Sequence, residues 1–158
     1  DLTEADLRYA DLTNALVIDS DLTEADLRYA DLTNTNLNHA DLTNANLQFA
    51  NLTDADLQYT DLTDAYLRNV NLVDAFLYDA DLTNAILWYA DLTGANLYAS
   101  NLTNADLRYA DLTNASLRHT DLTNANFYTA TVTNSDFSDS IWSNTMWTDG
   151  LTYNTNQA

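Results

Sequence analysis

The sequence predicts an all-β solenoid, a chain wound into coils of four short units around a leucine-lined interior. Three observations carry this reading. A large apolar residue falls at every fifth position from Leu2 to Trp147. A small residue, as in Ala5, Ala10, Ala15, Ser20 and Thr35, falls two places before it. The decapeptide DLTEADLRYA occurs at 1–10 and again at 21–30, so its second copy starts four units after the first.

A period of five fits neither regular element. On an α-helix five residues overshoot a full turn by about 140°, so the leucines spiral around every side. On a strand an odd period puts successive leucines on opposite faces. A short extended piece followed by a corner in every unit resolves the conflict, because leucine and the small residue two places before it then both point inward. Aspartate and asparagine, which usually stand between them, are poor strand formers but tolerate turns. The coil size follows from a second alternation. Units of the Asp-Leu-Thr type alternate with units carrying longer side chains, such as Asp6-Leu7-Arg8-Tyr9. Like stacks on like only with an even number of units per coil, and two units cannot enclose leucines. Four units make the smallest workable coil. About seven coils, at the strand spacing of about 4.8 Å, span on the order of 34 Å.

Composition narrows the function classes. The 158 residues include no cysteine and no proline, so disulfides and thiolate metal sites are excluded. No apolar run approaches the roughly 20 residues of a membrane span. No signal peptide is visible and the chain opens on Asp1, so either a leader was removed or this is a trimmed piece. Its expected compartment is cytoplasmic, or an exported one if a leader is lost. Twenty-four acidic residues against five arginines give a net charge of −19. Direct binding to nucleic acid or to an anionic membrane is disfavoured.

The tandem A-(D/N)-L-x-x pattern, over about 1–147, resembles the pentapeptide-repeat family. The resemblance implies a right-handed quadrilateral β-helix with the leucine and the small residue inside and the other three positions outside. It implies no catalytic residue and no cofactor, since no single residue carries a family-wide activity. It also brings in the fluoroquinolone-resistance proteins, members that resemble DNA and act on gyrase, although this sequence lacks the loop insertions that help define them. Cyanobacterial relatives include exported and thylakoid-lumenal proteins. The expected division is a repeat body over 1–140 and an aromatic C-terminal cap and tail over 141–158, with Trp142, Met146 and Trp147 at its centre. Both tryptophans look too large for the leucine columns. The N-terminus starts in mid-repeat without a visible cap, so another copy or a further segment is expected to cover it.

We number the faces from the unit containing Leu2. Face one then carries −9, face two +1, face three −6 and face four −4, with Asp149 beyond them. The column Asp1, Asp21, Asp41, Asp61 and Asp81 stacks carboxylates on face one. Duplex DNA carries about 20 charges over the same length, so an acidic DNA mimic that modulates an enzyme such as gyrase is one reading. The other is that the repeat supplies aspartates for solubility.

Face two offers a contact surface instead. Tyr66 and Ile86 replace the usual Asp or Asn on adjacent coils, with Arg68, Trp88 and Tyr89 beside them, as expected of a partner site. A stacked ladder of Tyr9, Tyr29, Phe49, Tyr89 and Tyr109 on this face is the purely structural alternative. On face four, Leu16, Ile18, Phe76, Tyr78 and Tyr98 look scattered.

Catalysis and metal binding find no support. His39 and His119 lie four coils apart, roughly 19 Å, and a linear aspartate column does not build a calcium cage. No nucleophile, base and orienting group converge. Regular threonine rows (Thr3, Thr23, Thr43 and onward) are read as packing between threonines of neighbouring coils. The leading expectation is a non-enzymatic structural or protein-interaction solenoid with an unknown protein partner, and with end-to-end self-association as an addition.

Overall fold

The four-unit coil is present throughout the computed structural model, which describes residues 1–155. Parallel bridges join each position to its equivalent one coil later without a slip, from Asp6↔Asp26 through Tyr66↔Ile86 to Asn126↔Met146. Each unit makes one bridged position and one corner. Four corners per coil give a four-sided β-helix. The expected tail residues 156–158 lie outside the described residues.

The backbone hydrogen bonds explain the repeat residue by residue. In the unit Asn51–Ala55, Asn51 N–H donates to the Ala30 carbonyl in the coil before, at 2.9 Å. Leu52 and Asp54 donate to Asn71 and Val73 in the coil after, at 2.7 and 3.0 Å. Ala55 closes the corner by donating to Leu52 at 3.1 Å. The remaining N–H, on Thr53, donates to the side chain of Asn51 at 3.3 Å. All five donors of the unit are used, as a close-packed backbone requires. The aspartate or asparagine before each leucine therefore occupies the bridged position and caps the corner after it, rather than forming the corner. The carbonyl of the second corner residue, here Asp54, accepts no protein hydrogen bond among the described residues.

The corner is a type II turn, with a positive φ confined to its second residue. Asn, Asp and Gly suit that conformation, and Asn34, Asp64 and Gly94 adopt it at φ of 55°, 58° and 71°. Tyr9, Phe49 and His119 adopt it as well, at 61°, 62° and 59°. For such residues the left-handed region costs about 1–2 kcal/mol, and their stacked rings offset part of it. Asparagines in this column form amide ladders. Asn104 donates to Asn84, Asn124 to Asn104 and Asn144 to Asn124, each at 3.0 Å.

Inside, the leucine and small columns are buried from Leu22 to Ala130, and Val132, Ser135 and Ser140 beyond them are partly buried. A fully buried leucine contributes roughly 1.5–3 kcal/mol. Hydroxyls that enter the small column are satisfied by carbonyls: Thr60 by Leu57 at 2.7 Å, Ser100 by Leu97 at 2.8 Å, Thr145 by Leu122 at 2.8 Å.

Trp142 and Trp147 do not stay outside the columns, contrary to what their size suggests. They take the inward position of the last units, 6% and 9% exposed, where no further leucine competes for space. Their ring centroids are 5.0 Å apart, and Phe137 lies 5.7 and 5.2 Å from them. At the last bridge, β1 (Thr145–Met146) also pairs antiparallel with β2 (Thr152–Tyr153).

Asn71 caps the Val73 N–H at 3.1 Å, and Val73 has no hydroxyl to complicate the bond. Asn71→Ala should lower unfolding stability by about 1 kcal/mol, and Asn71→Asp should retain most of it. Urea midpoints of the two variants check this.

Candidate functional site

Face two carries aspartate, asparagine or an apolar residue at its bridged position. Where aspartate holds the bridged position it clips the arginine two residues on. Asp6 receives Arg8 Nε at 2.8 Å, and Asp106 receives Arg108 Nε and Nη2 at 2.8 and 2.7 Å. Asp26 holds Arg28 in the same way. In the middle coils the aspartate is gone. Tyr66 and Ile86 occupy the bridged positions directly opposite each other, and no described side chain caps the Arg68 and Trp88 N–H groups. Among the described residues, every Asp or Asn at this position caps its corner, and Leu16, Tyr66, Phe76, Ile86, Ser116, Thr131, Ile141 and Met146 do not. Each exception gives up a hydrogen bond worth about 0.5–1.5 kcal/mol.

The predicted contact residues come together. Tyr66 and Tyr89 are 45% and 49% exposed, Arg68 is exposed, and Ile86 and Trp88 are half-buried. The Arg108 guanidinium stacks 4.2 Å from the Trp88 ring centre, and Arg68 lies on the same ring at 6.0 Å. The Trp88 indole nitrogen is buried and makes no hydrogen bond. A shallow depression lined by Glu24, Asn44, Asn46 and Tyr66 borders the patch toward face one.

The aromatic ladder on this face is real but incomplete. Tyr9 stacks on Tyr29 at 5.1 Å and Tyr29 on Phe49 at 4.9 Å. Asn69 interrupts the column, and Tyr89 then stacks on Tyr109 at 4.8 Å. Ladder packing accounts for Tyr89. Tyr66 and Ile86 stand in a different column and take no part in it.

Face four is not scattered. His39, Tyr59, Tyr78, Tyr98 and His119 form one continuous ladder across five coils. Successive centroids are 4.8, 5.4, 5.5 and 5.0 Å apart. The run changes from the second corner column to the first at Tyr78 and back at His119, and both changes are edge-on contacts. Reading single columns therefore hid it; allowing neighbouring columns to mix would have found it. Tyr59 beside it pushes the Tyr78 hydroxyl pKa up. The two histidines end the ladder without meeting, and His119 Nε2 is 3.7 Å from Asp139.

On face one, Asp21, Asp41, Asp61 and Asp81 are bridged in succession, and the Asp21 carbonyl accepts from Leu2, the neighbour of Asp1. Each of the five carboxylates caps its threonine N–H, as Asp61 does for Thr63 at 2.9 Å. Thr3 and Thr83 turn their hydroxyls to Asp1 and Asp81 at 2.8 and 2.5 Å, and on face three Asn51 donates to the Thr33 hydroxyl across coils at 2.8 Å. The bonds hold carboxylates ionised. Arg8 holds Asp6 down at about 2, and hydrogen bonds from Thr13, Thr23 and Ser138 lower Asp11, Asp21 and Asp136. Among the described residues no group of three His, Cys, Asp or Glu side chains is placed to hold a metal ion. No described helix is long and apolar enough to cross a membrane.

The pentapeptide-repeat model matches in eight copies, over residues 20–58, 60–97 and 100–139. The chain belongs to the pentapeptide-repeat family, and its fold is that family's right-handed quadrilateral β-helix. Among solved structures it is similar to a trypsin-treated form of QnrB1, a plasmid-mediated fluoroquinolone resistance protein. They are 18% identical over 85% of this chain and 76% of that one, with a TM-score of 0.54. It is also similar to HetL, a pentapeptide repeat protein involved in heterocyst differentiation regulation from the cyanobacterium Nostoc sp. strain PCC 7120. That match has 27% identity over 96% and 86% of the two chains and a TM-score of 0.38. A pentapeptide repeat protein of the Arabidopsis thaliana thylakoid lumen is 29% identical over 65% and 68%, with a TM-score of 0.42. No curated protein sequence matches.

Two outcomes are expected from this geometry. Tyr78 touches both Tyr59 and Tyr98, so Tyr59→Ala and Tyr78→Ala should be coupled by about 0.5–1.5 kcal/mol in a double-mutant cycle read by urea unfolding. The lowered carboxylates contribute stability that is present above the unfolded value near 3.9 and lost as pH falls through the folded values. The melting temperature followed by circular dichroism should therefore fall between about pH 4 and pH 2. A rise over that interval would mean that discharging the acidic faces outweighs the bonds their carboxylates make.

Proposed function

We propose that this protein is a non-enzymatic structural and protein-interaction solenoid whose working surface is face two, at Tyr66, Arg68, Ile86, Trp88 and Tyr89. The observation that carries the reading is local cost. Tyr66 and Ile86 forgo the cap that Asp or Asn makes at the same position, and ring stacking does not compensate them. An outward apolar pair, Tyr66 exposed and Ile86 half-buried, placed at the expense of the scaffold is what a contact surface requires. In the same reading 1–140 is the repeat body and 141–158 its cap, built on Trp142, Met146 and Trp147. End-to-end association of two copies belongs to the same reading.

A second reading rests on the acidic columns of faces one and three: a DNA mimic acting on a DNA-binding enzyme such as gyrase. Salt separates the two, since counterion terms dominate binding to a charged column and affect an apolar contact little. The test is capture of partners from bacterial lysate on the protein and on its Ile86→Asp variant, eluted with a salt gradient. Ile86→Asp supplies the missing cap for Trp88 N–H, so the variant should fold at least as stably. A salt-resistant partner lost with the variant is the expected outcome. A DNA-binding enzyme that elutes early and ignores the variant would replace face two with the acidic columns.

A further inference from the structure

Resting on face two as the contact surface, we propose what that surface accepts: a protein segment carrying a carboxylate beside an apolar side chain, with Arg68 taking the carboxylate. The chain has 24 acidic residues and five arginines. Four of the arginines already face a carboxylate. Arg8, Arg28 and Arg108 are clipped to Asp6, Asp26 and Asp106, and Arg118 stands 3.7 Å from Asp136. Among the described residues Arg68 has no carboxylate partner. The position that would supply one is Tyr66, and the same position in the coils on either side is Asn46 and Ile86. The nearest aspartates of that column, Asp26 and Asp106, are two coils away, roughly 10 Å at the strand spacing. Its recorded contact is the Trp88 ring at 6.0 Å, the outer limit of a cation–π interaction.

A guanidinium is a planar fork of donors that matches a carboxylate with two parallel bonds. Arg68 presents that fork, exposed, two residues on from Tyr66 and 6.0 Å from the Trp88 ring. The charge of the incoming group follows. A basic segment laid on this patch would leave Arg68 covered and unpaired, which is costly, and faces one and three would compete for it with −9 and −6. A phosphate would bring a second negative charge with no second cation to meet it, since Arg108 is held by Asp106. A single carboxylate balances a single guanidinium. The flanking apolar group answers Tyr66 and Ile86, which lie on adjacent coils.

The test uses a random heptapeptide display library selected on the whole protein, in parallel with selection on Arg68→Gln and Ile86→Asp. The expected pool on the parent protein is enriched in Asp or Glu next to Phe, Leu, Ile or Trp. Arg68→Gln should lose the acidic preference and keep the apolar one. A synthetic peptide from the pool should bind Arg68→Gln roughly fivefold more weakly. It should also shift the Arg68 Nε–H and Trp88 Nε1–H resonances of the labelled parent protein. A pool rich in Lys or Arg, or an acidic preference that survives Arg68→Gln, would overturn the assignment while leaving face two as the contact surface. A pool unaffected by Ile86→Asp would overturn both. Among the described residues Arg68→Gln removes no side-chain hydrogen bond or ion pair, and an unchanged melting temperature confirms that its loss is a loss of recognition.

Discussion

The structure depends on the register of four units per coil, which lets each unit hand its backbone donors to the coils on either side. That arrangement satisfies three N–H groups in five, and a fourth closes the corner within its own unit. The fifth lies at the first corner position, where no neighbouring strand can reach it, and a side-chain oxygen two residues earlier takes it. Leucine fills the interior, but the aspartate or asparagine before it makes the sharp corner tolerable. The short repeat is therefore set by two requirements at once: an apolar residue to bury and a polar one to close the turn.

Most of this architecture was legible in the sequence. The leucine period, the small residue two places before it and the duplicated decapeptide led to a four-sided coil with one unit per side, and the bridges follow it. The role of the aspartates was less legible. Their turn preference pointed to corners, whereas those before each leucine stand beside the corner and reach over it, a distinction that needs backbone geometry. The tryptophans misled through their volume. Size excludes Trp142 from a column flanked by leucines on both sides, but it sits where the column stops. On face four the rings belong to two columns that converge in space, and Tyr59, Tyr78 and Tyr98 look unrelated until the corners are built.

The candidate surface was legible for a different reason. In a sequence this regular, departures such as Tyr66 and Ile86 stand out against their own repeat. What the sequence did not reveal is that the departures differ in kind. Tyr89 and Tyr109 depart from asparagine and gain a stacked neighbour. Tyr66 and Ile86 depart from aspartate and leave an N–H uncapped. Exterior aromatic residues on this solenoid thus divide into those that support neighbouring coils and those that do not, and hydrogen bonding separates the two where hydropathy cannot.

The unbonded carbonyl at each second corner position has a consequence for the outline of any complex. One such oxygen per unit runs up each of the four edges, and with no protein donor near, water must serve it. A partner that covered an edge would have to bring donors in register with the coils or displace that water at a loss. The flats between the edges carry no such demand. A bound protein should therefore leave a footprint shaped as a strip, one face wide and several coils long, so that the breadth of contact is fixed by the corners and only its length is free to vary.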